Sequence, residues 1–144
     1  MDEKSALVDS FLVLRGDQLD PEMVTSLLGV KGSKTRKKGE PWLTSNNHEI
    51  TPKIGVWTLD ASRESMSLND QISSLKKQLE SAKSLPLDIP GVDSGELCLF
   101  VALGSNDHGG GEYKCELSPD NVAWISRLGV PVSIELTYVP PEQL

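Results

Sequence analysis

Two short segments of the chain share one pattern, a proline followed by an acidic residue at the start and Leu-Gly-Val at the end. They are "LDPEMVTSLLGV" at residues 19–30 and "LSPDNVAWISRLGV" at residues 117–130. An Asp or Ser before each proline suits an N-cap, the proline suits the first helical position, and the glycine suits a left-handed C-cap. The pattern predicts two capped helices, and capping explains the shared residues without a common binding or catalytic site.

The apolar residues of these two helices predict which sides face the core. The predicted faces are Met23, Val24, Leu27 and Leu28 in the first helix, and Val122, Ala123, Ile125 and Leu128 in the second. Trp124 stands among the second set, at a wheel position that suits an anchor for a partner protein at the edge of the face.

Strand-like segments flank both helices. Residues 7–15 are rich in β-branched and large apolar side chains, and "ELCLFVALG" at residues 96–104 is apolar on both faces, as in a central strand. Two further strands are predicted by alternation: "EYKCEL" with Tyr113, Cys115 and Leu117 on one face, and "VPVSIELTYV" with Val132, Ile134, Leu136 and Tyr138 on one face.

The middle of the chain predicts a hairpin, a strand and the strongest helix. Two β-like runs surround an Asn46-Asn47 turn, and a strand apolar on both faces follows over residues 54–59. In "SLNDQISSLKKQLESAK", Ser67 and Asp70 have capping-box spacing. The apolar stripe of this helix is Leu68, Ile72, Leu75, Leu79 and Ala82, which predicts core packing.

These elements predict an α+β fold of two layers, with helices packed on one face of a mixed, largely antiparallel sheet. The predicted order is β-α-β-β-α-β-β-α-β, with a pseudo-repeated strand-helix unit, and the 144 residues are expected to form one domain, 1–144.

The composition narrows the function classes. A net charge of -7 disfavours nucleic acid and anionic membranes as partners and favours a basic protein partner. No stretch has the roughly 18 apolar residues of a membrane span, and the N-terminus lacks a signal-peptide pattern, so we expect a cytoplasmic protein. The two cysteines, Cys98 and Cys115, fall on adjacent predicted strands as buried free thiols. We expect no metal and no cofactor.

A basic segment, "KGSKTRKKG", contains Lys31, Lys34, Arg36, Lys37 and Lys38. No interleaved aromatics accompany it, so a solvated, mobile loop is the favoured interpretation. The alternative is a small-molecule or phosphometabolite binding site that uses Lys37, Lys38 and Trp42.

No constellation of residues predicts catalysis. His108 stands in the glycine-rich turn "GSNDHGGGEY", which suits a hairpin tip; a hydrolase using His108 is a remote alternative. The acidic residues are dispersed, and no pair has the spacing of an acid/base couple. Glu112 and Glu116, near the predicted hairpin, are the carboxylates that we expect to contact a basic partner.

Nine residues, spread over nearly the whole chain, carry a resemblance to a known family. They are Leu19, Pro21, Leu28, Gly29, Lys38, Gly39, Trp57, Leu128 and Gly129. Together with a closing "LSPDNVAWISRLGVPVSIELTYV", they make the chain similar to the bacterial domain of unknown function 4279 family. The resemblance implies a small α+β cytosolic domain of bacterial type and supplies no active site. The resulting hypothesis is a non-enzymatic protein-binding module, such as an immunity-type inhibitor of a basic bacterial toxin; the oligomeric state stays open.

Overall fold

The computed structural model describes residues 6–62, 67–104 and 114–139 of the chain. Its strands are β1 (Ala6–Gly16), β2 (Lys34–Arg36), β3 (Trp42–Leu43), β4 (Glu49–Ile50), β5 (Gly55–Asp60), β6 (Ser94–Gly104) and β7 (Val132–Val139). Its α-helices are α1 (Pro21–Leu28), α2 (Leu68–Gln78) and α3 (Pro119–Leu128), and a 3-10 turn covers Pro86–Asp88.

Five of the strands form one mixed sheet in the order β2-β5-β1-β6-β7. The β2–β5, β5–β1 and β1–β6 pairs are antiparallel, whereas β6 and β7 are parallel and α3 lies between them in sequence. β3 and β4 form a separate two-stranded hairpin, whose turn contains Asn47 at a φ of 62°. The predicted hairpin and the interior position of β6 are confirmed.

Alternate side chains of the sheet join the helices in one core. The inward residues of the three interior strands, with those of the helices, form a single apolar cluster that includes Leu12, Leu14, Trp57, Leu59, Leu97, Leu99, Val24, Leu28, Ile72, Leu75 and Leu128. Because the helices cover only this side, the opposite side of the sheet is called the open face below. The two-layer α+β architecture that the sequence predicted is confirmed.

The predicted helix ends are confirmed at atomic detail. Asp20 accepts a hydrogen bond from the backbone of Glu22, and Gly29 is left-handed at a φ of 73°. In α3, Ser118 caps the backbone of Asn121 and Gly129 has a φ of 77°. Side-chain caps satisfy amides that a helix leaves without partners, so these short sequences begin and end their helices locally.

The predicted helix faces need four corrections. Met23 is 41% exposed, because in a two-turn helix the inward positions go to Val24 and Leu28 one turn apart. Val122 is 52% exposed, since the buried position beside it belongs to the polar residue Asn121. Ala123 is exposed, because the side of α3 that faces the core is set by Asn121 and Leu128. Ala82 is exposed because α2 ends at Gln78, and the chain then turns so that Lys83 N donates to Leu27 O at 2.7 Å.

Two predictions of strand and loop are also wrong. Lys34–Arg36 of the basic segment form an edge strand rather than a loop, because they pair with β5 from Thr58 to Val56. Conversely, residues 114–117 of the predicted strand "EYKCEL" are not in a strand. Cys115 is therefore exposed there, and Cys98 is only partly buried on the open face. The glycine-rich turn lies outside the described residues.

No helix in the described ranges is long and apolar enough to cross a membrane.

Candidate functional site

Two cations of the basic segment have contacts within the chain. Arg36 stacks on Trp42, with its Cζ 4.3 Å from the ring centroid. Lys38 Nζ donates to Asp17 Oδ1 at 2.6 Å, and this hydrogen bond, together with the lysine charge, lowers the pKa of Asp17. Arg36 is thus engaged by an aromatic ring, and Lys38, one of the two lysines of the predicted ligand site, is engaged by a carboxylate.

Lys37 and Trp42 line a cavity of about 410 Å³ beside the start of α1. Its wall also contains Arg36 and three carboxylate residues, Asp20, Glu22 and Glu40. The structure therefore brings Lys37 and Trp42 to one cavity, whereas Lys38 does not line it and bonds Asp17 instead. The balance of charge around this cavity is not that of a phosphate site, where cations and backbone amides dominate.

Trp124, the predicted edge anchor, is half-buried on α3 and packs against the core. It lines a second cavity, of about 420 Å³, where the ends of α1, α2 and α3 approach the segment after α2. The other lining side chains are Leu28, Leu79, Ala82, Lys83, Ser84, Leu85, Pro86, Arg127 and Leu128. Trp124 and Lys37 line different cavities, which share no lining residue.

Only Glu116 of the predicted acidic pair lies in the part of the chain that the structure describes. Glu116 is exposed and bonds Lys114 Nζ at 2.8 Å, which offsets its charge. Glu112 lies outside the described residues, as does His108.

A different acidic surface lies on the open face, across three neighbouring strands. Asp9 of β1 pairs with Phe100 of β6, and Phe100 pairs with Glu135 of β7. Glu96 lies on the same face of β6, four residues before Phe100. These side chains, with Phe11, Cys98, Leu99 and Ser133, line a shallow groove of about 250 Å³. We call Asp9, Glu96 and Glu135 with Phe11 and Phe100 the acidic surface.

The open face of the sheet carries charges of both signs. Lys34 and Arg36 of β2 pair with Thr58 and Val56, whose side chains point away from the core, so the basic residues lie at the β2 edge of this face. The acidic surface lies on the β1, β6 and β7 side. Between these two regions the same face carries Arg15 of β1, Asp60 of β5 and the buried Val13.

Cys98 sits in the floor of the acidic surface. Its Sγ donates to Glu96 Oε1 at 3.1 Å. Burial raises the pKa of Cys98 to about 11, helped by the hydrogen bond and charge of Glu96. Because the thiolate is the nucleophilic form, this environment keeps Cys98 as an unreactive thiol near neutral pH.

The model of the family described as Domain of unknown function (DUF4279) matches residues 6–139. The chain belongs to this family. The match begins with β1 and ends with β7, so in the DUF4279 chain it spans every strand and helix given above. No curated protein and no solved structure matches the chain.

The acidic surface of the DUF4279 chain suits cationic groups on a partner. Over the described ranges, no group of three or more His, Cys, Asp or Glu residues could hold a metal ion. Guanidinium and ammonium groups form charge-assisted hydrogen bonds with carboxylates such as these and stack on aromatic rings.

Sequence reasoning missed the acidic surface because its residues are far apart in the chain. Asp9, Glu96 and Glu135 were each visible as acidic residues in or beside an apolar run. The signal that joins them is strand parity combined with the order β1-β6-β7, and the parallel pairing of β6 and β7 supplies that order.

Proposed function

We propose that the chain is a non-enzymatic protein-binding module that holds a basic partner protein on its acidic surface. The observation that carries the proposal is the alignment of Asp9, Phe100 and Glu135 across three strands, with Glu96 beside them. A basic segment lying across these strands would meet carboxylates and phenyl rings alternately.

Long-range electrostatics support a cationic partner. The net charge of -7 attracts basic proteins and accelerates their encounter with the chain at low salt. Carboxylates at the rim of an interface act mainly on the association rate and on specificity, whereas aromatic contacts contribute more of the affinity. The acidic surface contains both kinds of group.

The specific role that we propose is that of an immunity-type inhibitor of a basic bacterial toxin, acting in the cytoplasm. Support comes from the acidic balance of the chain and from the three carboxylates, Asp9, Glu96 and Glu135, that line one groove of the sheet. Acidic inhibitors capture cationic enzymes by charge complementarity.

The test compares capture by three tagged full-length baits at low and high salt. The first bait is the native chain, the second carries Asp9→Asn and Glu135→Gln, and the third carries Glu40→Gln and Glu49→Gln as a control. Both double variants remove two exposed carboxylates, so both change the net charge equally.

We expect the native and control baits to hold the same basic protein and to release it in high salt. The Asp9 and Glu135 variant should bind about tenfold more weakly, a loss near 1.4 kcal/mol. If both double variants lose the same amount of binding, net charge alone explains the effect. If all three baits retain the partner equally, the acidic surface is not the binding site.

A second candidate function, small-molecule or phosphometabolite binding, rests on the cavity of Lys37 and Trp42. Its three carboxylates make a phosphometabolite the less favoured of these two ligand classes. The cavity volume of about 410 Å³ is that of a ligand site. Thermal unfolding with added inorganic phosphate or a small phosphate ester tests it, because a bound ligand raises Tm. The rise should vanish in a Lys37→Gln, Lys38→Gln variant; no rise with the native chain would reject the candidate.

A further inference from the structure

We propose that the outer edge of β7 pairs antiparallel with β7 of a second copy of the chain, which makes a two-fold symmetric dimer. The interface uses the edge and the helix-side face of β7, whereas the acidic surface lies on the open face. The inference therefore stands apart from the proposed function, and either can fail without the other.

A row of exposed apolar side chains runs along β7. Val132 is 41% exposed, Ile134 and Leu136 are each 66% exposed, and Tyr138 is 62% exposed. In the parallel register, Ile134 lies beside Leu99 and Leu136 beside Val101. Leu99 and Val101 are buried, so the row continues the core side of the sheet beyond the part that is covered.

The backbone of the same residues is directed outward. Leu97 pairs with Val132, and Leu97 N donates to Pro131 O at 2.9 Å. Since bonding residues alternate in a parallel ladder, the odd-numbered residues of β7 bond β6. The even-numbered residues, which carry the apolar row, turn their N–H and C=O groups to the outer edge. In the described ranges no strand pairs with that edge.

The β2 edge of the sheet is protected against pairing with another strand, whereas the β7 edge is not. This difference favours pairing of β7 with β7 of a second copy. β2 has only three residues and carries Lys34 and Arg36, which are features that natural sheets use to block edge pairing. β7 has eight residues, and Glu135 is its one charged residue. Contact of β7 with β2 of another copy would build an open array, whereas β7 against β7 closes as a dimer.

The area of the row is that of a modest dimer interface. Its four side chains expose roughly 400 Å², which is within the range of the largest apolar patch on an ordinary monomer. A standard interface takes about 800 Å² from each partner. The row would supply about half of the area that one partner contributes. The paired backbone and the flanking side chains would supply the other half. Such a small apolar area predicts a weak dimer, and we take a dissociation constant on the order of micromolar as the value to test.

Charge excludes one register of the pairing, and we place the two-fold axis at Leu136. A two-fold axis at Glu135 would place the two Glu135 carboxylates opposite each other, which is unfavourable. An axis at Leu136 pairs Leu136 with itself, Ile134 with Tyr138 and Glu135 with Thr137. All the residues that then exchange backbone hydrogen bonds are even-numbered, as the outward groups require.

Sedimentation equilibrium of the full chain from about 1 to several hundred micromolar tests the dimer; this span brackets a micromolar constant. We expect a concentration-dependent rise from monomer to dimer mass. Leu136→Lys should raise the dissociation constant about 100-fold by placing charge in the interface. Leu43→Lys is the matched control, because Leu43 is also 66% exposed but lies in the β3–β4 hairpin; it should dimerise normally.

A cross-linking measurement checks the register with a variant that keeps a small side chain. In a Cys115→Ser background, Leu136→Cys should form a covalent dimer with a short bismaleimide, and Leu43→Cys should not. A chain that stays monomeric at every concentration overturns the proposal. This holds even if a strand of another protein pairs with the outer edge of β7. A dimer that tolerates Leu136→Lys, or cross-links equally through Leu43→Cys, also overturns it.

Discussion

Trp57 Nε1 donates a hydrogen bond to Thr25 Oγ1 at 3.1 Å, and this bond joins β5 to α1. Trp57 is completely buried, so its indole N–H has no access to bulk water. Gly32 makes room for the ring, because a Cβ there would lie 2.6 Å from Nε1. A helix, a strand and the basic segment thus depend on one tryptophan.

Thr25→Val should destabilise the chain by about 1–3 kcal/mol, the typical result of leaving a buried donor without its acceptor. Valine keeps the shape of threonine, so the loss reports the hydrogen bond rather than a cavity. Urea unfolding followed by circular dichroism measures the change. Thr25→Ser keeps the hydroxyl and should lose less; equal stability of the native and Thr25→Val chains would contradict the role given to this bond.

Gly91 and Gly39 have similar left-handed backbone conformations but differ in how closely other atoms approach them. Alanine substitutions at the two positions therefore test the close packing at Gly91. Their φ values are 90° and 84°, so alanine is conformationally unfavourable at both, by about 1–2 kcal/mol. At Gly39 a Cβ meets nothing within 4 Å, whereas at Gly91 it would lie 2.5 Å from Gln18 O. Gly91→Ala should therefore lower Tm clearly more than Gly39→Ala in a thermal scan. Equal shifts would show that the turn at Gly91 can relax.

Local signals in the sequence were sufficient for the helices. Asp20 and Gly29 define α1 through bonds to residues a few positions away, and Ser67 caps α2 in the same local manner. Such contacts depend little on the rest of the fold, which explains why the caps were predictable.

Features that depend on strand pairing were not predictable from the sequence alone. The strand Lys34–Arg36 has no apolar alternation, and it exists because β5 offers an edge to pair with. The acidic surface needs Asp9 and Glu135 to meet across β6, although 126 residues separate them. The inward place of Asn121 on α3 was missed because its partners lie on α2, about 50 residues earlier.

Asn121 holds α3 on α2 through a buried polar contact, and removing it should loosen this pair. The side chain is 2% exposed, and its Nδ2 lies 2.9 Å from Asn69 Oδ1 and 3.0 Å from Ser73 Oγ. Asn121→Leu should lower the free energy of unfolding by about 1–3 kcal/mol, because the α2 acceptors lose their buried donor. Val122→Ala, at the exposed neighbour, should change it by less than about 0.5 kcal/mol. Similar effects at both positions in urea unfolding would contradict the contact.

The reactivity of Cys98 reports the electrostatics of the acidic surface. With a pKa of about 11, Cys98 has a thiolate fraction near 0.1% at pH 8. In a Cys115→Ser background, its alkylation by iodoacetamide should therefore be slow at pH 8 and rise about tenfold per pH unit toward pH 11.

Glu96→Gln should shift this pH profile to lower pH, because it removes both a negative charge and the carboxylate that accepts the thiol hydrogen. The sign follows from the raised pKa: a lower pKa leaves more thiolate at any fixed pH, so the variant should react faster at pH 8. Glu135→Gln should shift the profile in the same direction by less, since Glu135 is the weaker cause of the raised pKa. Unchanged profiles in both variants would mean that burial alone holds Cys98 protonated, and that the carboxylates of the acidic surface do not converge on it.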